Sequence, residues 1–188
     1  MSNNFCKEAT RPFRPILKAL AASNDNWDGF FETVSLSTAV GGGAGGLTSS
    51  AEAGFAVDKN GDVACFYSVC AGVSTEVDPD AGVNVNLGIS SGTVDGVAGT
   101  GMSVGLDASL FGLGGGFGYD YGTDKSFQGI GFSLDAAYDS SSMATAFDFS
   151  ANAATCTTTA QVVKYSKGLA SLDINPYYYD SADTCRKV

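Results

Sequence analysis

The chain has 188 residues, of which 44% are hydrophobic and 16% charged, with 25 glycines and a formal net charge of −10. This length fits one domain with a single core, and the acidic balance disfavours a nucleic-acid partner. The absence of histidine removes the commonest general base and metal ligand. We therefore expect neither enzymatic activity nor a cofactor.

The charge is unevenly distributed along the chain. Lys59 and Lys125 are the only basic residues between Ala21 and Val163, where most of the acidic residues lie. The other basic residues flank this acidic body, as Lys7, Arg11, Arg14 and Lys18 on one side and Lys164, Lys167, Arg186 and Lys187 on the other. The acidity is expected to keep a surface with few charges soluble.

The cysteines lack the C-x-x-C spacing of zinc knuckles and thioredoxin-like sites. Disulfides or buried thiols remain, and the candidates are Cys6, Cys65, Cys70, Cys156 and Cys185. Because domain termini are often close in space, a Cys6–Cys185 bridge is the pairing that we hypothesise. An extracellular or cell-surface location is favoured, although the first 20 residues contain no recognisable export signal.

Residues 1–28 are predicted to form an N-terminal segment with a short amphipathic helix. Phe13, Leu17 and Leu20 lie on one helical face, and Pro15 suits a first turn. This helix could plug one end of a barrel, pack on a neighbouring subunit, or lie on a membrane surface. Trp27, which follows a polar loop, is a candidate binding residue.

From Gly29 the apolar period changes to two, which predicts strands. The first apolar rows are Phe30, Val34, Leu36 and Val40, then Leu47, Ala51, Ala53, Phe55 and Val57, then Val63, Cys65, Tyr67, Val69 and Val73. The glycine run 41–46 is interpreted as a flexible connection between the first two strands. Between the next two, a three-residue loop, Lys59–Gly61, would set Phe55 opposite Cys65 and place Gly61 in a G1 bulge.

Further rows follow at regular intervals. They begin at Val83, Met102, Leu113, Ile130 and Met143, and a last candidate strand covers residues 157–167. The apolar parity slips at Leu110-Phe111, which predicts a bulge or a barrel corner. The sequence therefore predicts an all-β domain over residues 29–170: an antiparallel meander of eight or nine strands closed as a barrel, with a β-sandwich as the alternative. Residues 171–188 would form a C-terminal tail.

Two groups of residues are candidate binding sites. Asp58, Asp62, Asp78 and Asp80 are weak calcium candidates, because closely spaced carboxylates suit hard cations, although Asp58–Asp62 is better explained as a hairpin turn. Tyr177, Tyr178 and Tyr179 could form an aromatic platform for a sugar or a protein, or pack the tail onto the domain.

The leading functional hypothesis is a non-enzymatic structural or interaction protein, self-assembling and extracellular, that binds itself or another protein. The alternative is a membrane-inserting or pore-forming β-barrel whose apolar face meets lipid. A carbohydrate-binding module is a third hypothesis. The first two differ in one structural property, which is whether the apolar rows point into the domain or out of it.

Overall fold

The computed structural model describes residues 6, 10–13, 15, 16 and 19, and the ranges 31–76, 80–110, 113–123, 128–139, 147–164 and 185–187. The strands are β1 (Thr33–Ala44), β2 (Leu47–Asp58), β3 (Val63–Ser74), β4 (Asp80–Ser91), β5 (Gly99–Leu110), β6 (Leu113–Gly122), β7 (Gln128–Asp139), β8 (Phe147–Val163) and the short β9 (Cys185–Lys187). Two 3-10 turns, Arg11–Phe13 and Val94–Gly96, complete the described elements.

Strands β1 to β8 form a closed antiparallel barrel. Each of the eight pairs with two neighbours, and the pairing of β3 with β8 closes the ring. β9 adds a short pairing at the end of β8. The prediction of an all-β antiparallel barrel is confirmed, and the sandwich alternative is wrong because no sheet edge remains between β3 and β8.

The strand order departs from the predicted meander. Consecutive strands pair within β1–β3 and within β5–β7, but β4 returns to lie between β1 and β7, and β8 lies between β3 and β5. Each half is thus a Greek key, in which a fourth strand returns beside the first. Because β4–β7 and β3–β8 join the halves in equivalent ways, the topology repeats with a pseudo-two-fold relation.

The register fixes the dimensions of the barrel. Following the paired residues once around the ring leads back to β1 about ten residues from the starting point, which corresponds to strands tilted by about 40°. Most strands have 12 residues. At about 3.3 Å per residue, such a tilted strand spans roughly 30 Å along the barrel axis.

The predicted β2–β3 hairpin is confirmed. Phe55 pairs with Cys65, the backbone N–H of Asp58 donates to Asp62, and Gly61 has the positive φ of 79° that a G1 bulge requires.

Two other connection predictions are wrong. The run Gly41–Gly43 belongs to β1, and only Gly45 and Gly46 turn, both with positive φ as a two-residue hairpin loop requires. The parity slip near Leu110 is neither a bulge nor a corner, because β5 ends at Leu110 and pairs there with Leu113, the first residue of β6. The apolar row resumes on the other side of a two-residue connection.

The buried core lies at one end of the barrel, which we call the closed end. The closed end contains the first residues of β1, β3, β5 and β7 and the last residues of β2, β4, β6 and β8. The opposite end is called the hairpin end. The connection between β4 and β5 crosses the closed end, and the fully buried Val94 packs there against inward-facing Ala56, Ala64, Ala160 and Val162.

A second cluster lies outside the barrel at the same end. Cys6 packs against Val57, Val63, Cys65 and Val163, and its backbone N–H donates to the Gln161 side chain at 3.0 Å. The described part of the N-terminal segment therefore packs on the outer wall, and the Val94 turn supplies the plug instead. Within the predicted helix, residues 11–13 form a 3-10 turn and Pro15, Ile16 and Ala19 are helical. The rest of the predicted helix lies outside the described residues.

Two disulfides are present among the described residues. Cys6 is bonded to Cys65 across a Cα–Cα distance of 5.5 Å, and Cys70 is bonded to Cys156 across 4.0 Å. The hypothesis of a Cys6–Cys185 bridge is wrong, because Cys6 is held beside β3. Cys185 instead aligns along the backbone with Val163.

Candidate functional site

The apolar rows of the barrel point outward. Large apolar side chains on these rows are exposed, and together we call them the apolar belt. The belt consists of Val40, Leu47, Tyr67, Val69, Val73, Val83, Val85, Leu87, Met102, Val104, Leu106, Leu110, Leu113, Phe117, Tyr119, Phe132, Leu134 and Phe149. The belt reaches all eight strands, and Leu134 at mid-strand is 75% exposed. The alternation predicted from the sequence is correct, and its apolar side faces away from the barrel.

The inward side of the same strands is polar. Glu52, Asp107, Asp120 and Asp135 line the interior together with serine, asparagine and glycine residues, around a cavity of about 380 Å³. On the described outward positions of β1 to β8 there is no charged side chain. This distribution is the inverse of a water-soluble barrel, in which apolar side chains fill the interior.

Hydrogen bonds tie the interior carboxylates to neighbouring strands. Glu52 accepts from the Ser37 hydroxyl and from Asn86 Nδ2, the latter at 3.2 Å. Asp107 accepts from Asn152 Nδ2 at 2.6 Å. Glu52 on β2 is thus linked to β1 and β4, and Asp107 on β5 is linked to β8, so the interior polar groups join both consecutive strands and strands that are distant in sequence.

Glycines create the room for these side chains. A Cβ on Gly116 would collide with the Asp107 carboxylate and lie 2.7 Å from the Ser133 hydroxyl, whereas a Cβ on Gly131 would meet nothing within 4 Å. Gly114 lies on the same strand as Gly116 and also faces inward, and a Cβ there would lie 2.6 Å from the backbone oxygen of Ala108 and 2.9 Å from Ser109 Cβ. Gly114 and Gly131 face inward from neighbouring strands, so they form a matched pair.

We expect Gly114→Ala to lower the free energy of unfolding by about 1–3 kcal/mol, because the added methyl group meets the backbone of β5, which cannot move aside as a flexible side chain can. Gly131→Ala is expected to raise the free energy of unfolding by about 0.4–1 kcal/mol, because alanine has fewer backbone conformations than glycine in the unfolded chain. Urea unfolding of both variants measures the two signs. Equal effects would contradict the described packing of the interior.

Asp58 acts at the closed end. Its carboxylate accepts from the backbone N–H of Asn60 at 2.9 Å, of Asp62 at 3.1 Å and of Val94 at 3.3 Å, so it joins the β2–β3 turn to the crossing turn. The side chain is 1% exposed. Its geometry is that of a structural acceptor for backbone donors.

Among the described residues, the predicted calcium candidates do not form one group. Asp58 and Asp62 lie at the closed end and Asp80 at the hairpin end, while Asp78, Trp27, Tyr177, Tyr178 and Tyr179 lie outside the described residues. Within the described ranges, no group of three or more histidine, cysteine or acidic side chains is placed to hold a metal ion. Sequence reasoning missed Glu52, Asp107, Asp120 and Asp135 in the interior, although each stands on the polar parity of its strand.

No helix among the described residues is long and apolar enough to cross a membrane. No protein-family model, curated protein or solved structure matches this chain.

Proposed function

We propose that this protein is a membrane-inserted β-barrel with a non-enzymatic structural or interaction role. The apolar belt would contact lipid hydrocarbon, and the polar interior would stay enclosed by the strands. The observation that carries this proposal is the outward orientation of the apolar rows on all eight strands.

The extent of the belt favours lipid over a protein partner. Monomeric soluble proteins rarely expose contiguous apolar patches larger than a few hundred Å², whereas this belt surrounds the barrel. One docked protein would cover one side and leave the other in water. A bilayer covers every side at once, and a charge-free outer wall is what its hydrocarbon core requires.

The dimensions support the same partner. Strands of 12 residues at the tilt given by the register span roughly 30 Å, which is the thickness of the hydrocarbon core of a bilayer. Charged side chains reappear at the closed end, where Lys59 pairs with Glu32 and Lys164 with Asp95. These ion pairs would lie in the headgroup region.

The interior argues against a wide aqueous channel. Eight strands leave space that side chains nearly fill, and Val94 closes one end. We therefore propose a compact membrane barrel whose contacts with other molecules occur at its ends. The two disulfides are compatible with an extracellular or otherwise oxidising location.

Fluorescence quenching by brominated lipids tests the proposal. In a Trp27→Phe background, Phe132→Trp would place a reporter within the belt, and Lys59→Trp would place a control reporter at the exposed turn of the closed end. We expect acyl-chain bromines to quench the first reporter strongly and the second weakly.

Two results would count against membrane insertion. One is equal quenching of the two reporters, which would place the belt and the turn in the same environment. The other is folding without lipid or detergent into an oligomer of defined size, which would favour self-assembly through the belt instead.

A further inference from the structure

The basic residues that the structure describes lie at one end of the barrel. Lys59 lies in the β2–β3 turn, Lys125 in the connection between β6 and β7, and Lys164 directly after β8, and these strand ends all belong to the closed end. β9, which contains Arg186 and Lys187, pairs with the last residues of β8. Of the remaining basic residues, Lys167 follows Lys164 in the chain. The others, Lys7, Arg11, Arg14 and Lys18, follow Cys6 in the chain, and Cys6 is bonded to Cys65 at the closed end.

In the part of the chain that the structure describes, the hairpin end carries only acidic charge. Its connections, residues 45–46, 75–79, 111–112 and 140–146, contain no lysine or arginine, and they include Glu76 and Asp78. Asp80 begins β4 at the same end. Among the described residues the two ends therefore differ in kind. The closed end holds Arg11, Lys59, Lys164, Arg186 and Lys187, and the hairpin end holds no lysine or arginine.

Acidic residues at the closed end neutralise part of its charge. Lys59 and Lys164 form ion pairs with Glu32 and Asp95. The N-terminal residues differ, because Glu8 is the only acidic residue among Lys7, Arg11, Arg14 and Lys18. This stretch, residues 7–18, is called the basic segment.

The basic segment also has apolar side chains beside the belt. Phe13 packs against outward-facing Phe55 with the rings tilted and their centroids 5.1 Å apart, and Phe13 and Ile16 remain 40% and 45% exposed. Arg11 is exposed on the same turn. A basic stretch with exposed apolar side chains is typical of protein surfaces that lie at a lipid–water boundary.

We propose that the basic segment docks on anionic phospholipid headgroups and holds the closed end at that surface while the acidic hairpin end crosses the bilayer. This inference rests on the proposed function. Arg11 and its neighbours supply charge complementary to the headgroups, while Phe13 and Ile16 enter the acyl boundary. Each basic residue near an anionic surface strengthens binding about fivefold.

Insertion kinetics test the docking. The full chain is diluted from urea into vesicles of phosphatidylcholine alone or of phosphatidylcholine mixed with phosphatidylglycerol, and insertion is followed by flotation. We expect insertion on the order of tenfold faster into the anionic vesicles, with high salt removing the difference.

Two double variants with equal charge loss give the control. Arg11→Gln/Arg14→Gln removes charge from the basic segment, whereas Lys59→Gln/Lys164→Gln removes the paired lysines of the closed end. Only the first is expected to lose most of the acceleration. Equal losses, or equal rates into both vesicles for the unaltered protein, would overturn the docking. Failure to insert into either vesicle would overturn the proposed function instead.

Trypsin supplies an independent test. Each chain segment that contains a lysine or arginine is flanked by strand ends, or by Cys6, at the closed end. After insertion, trypsin added outside is expected to cut all inserted molecules, as shown on a reducing gel against vesicles lysed with detergent. A large fraction protected until lysis would show random orientation and overturn the inference.

Discussion

Replacing Leu134 with arginine should lower the free energy of unfolding from a lipid bilayer by about 2–4 kcal/mol, because an arginine on the lipid face near the bilayer midplane loses its hydration. Leu134 lies in the middle of β7 and is 75% exposed. Urea titration of the protein in phospholipid vesicles, followed by circular dichroism, measures the change.

The same substitution separates the two leading functional hypotheses. On a soluble protein, arginine at so exposed a position changes stability by only about ±0.5 kcal/mol. Asn60→Arg is the matched control, because Asn60 is exposed in the closed-end turn and lies outside the belt. If both variants unfold at the urea concentration of the unaltered protein, the belt does not face lipid.

The sequence predicted the fold but not the surroundings of the barrel, because it did not give the direction in which the apolar rows point. Alternation has the same period whether Leu134 points into a barrel or out of it, so the pattern alone cannot give the direction. The composition indicates the direction, because the side chains on the opposite face of each strand, such as Ser133 and Asp135 on β7, are too small and polar to form a core. Only 16% of the chain is charged, which is little for the outer wall of a soluble barrel.

Local and distant contacts differed in how far the sequence could predict them. The β2–β3 hairpin was predictable because loop length, Gly61 and the two apolar rows together allow one register. The positions of β4 and β8 were not, since strands of similar pattern can pair with several partners and the choice depends on contacts across the whole chain. For the same reason the Cys70–Cys156 pairing could not be predicted, because it depends on β8 lying beside β3.

Removing the Cys70–Cys156 disulfide is expected to lower the free energy of unfolding by about 3–5 kcal/mol. The bond links residues separated by 86 positions, and cross-linking so long a loop restricts the unfolded chain strongly. It also joins β3 to β8, the contact that closes the ring between the two Greek keys. The Cys70→Ala/Cys156→Ala variant is compared with the unaltered protein by urea unfolding in lipid vesicles.

The Cys6–Cys65 disulfide gives the control, with a separation of 59 residues. Loop length alone would make the two bonds nearly equivalent, because loop entropy grows only with the logarithm of length. Cys6, however, belongs to a segment on the outer wall that can detach without separating any pair of strands. We therefore expect Cys6→Ala/Cys65→Ala to cost clearly less than Cys70→Ala/Cys156→Ala. Equal costs would mean that the N-terminal segment unfolds together with the barrel and is part of its cooperative unit.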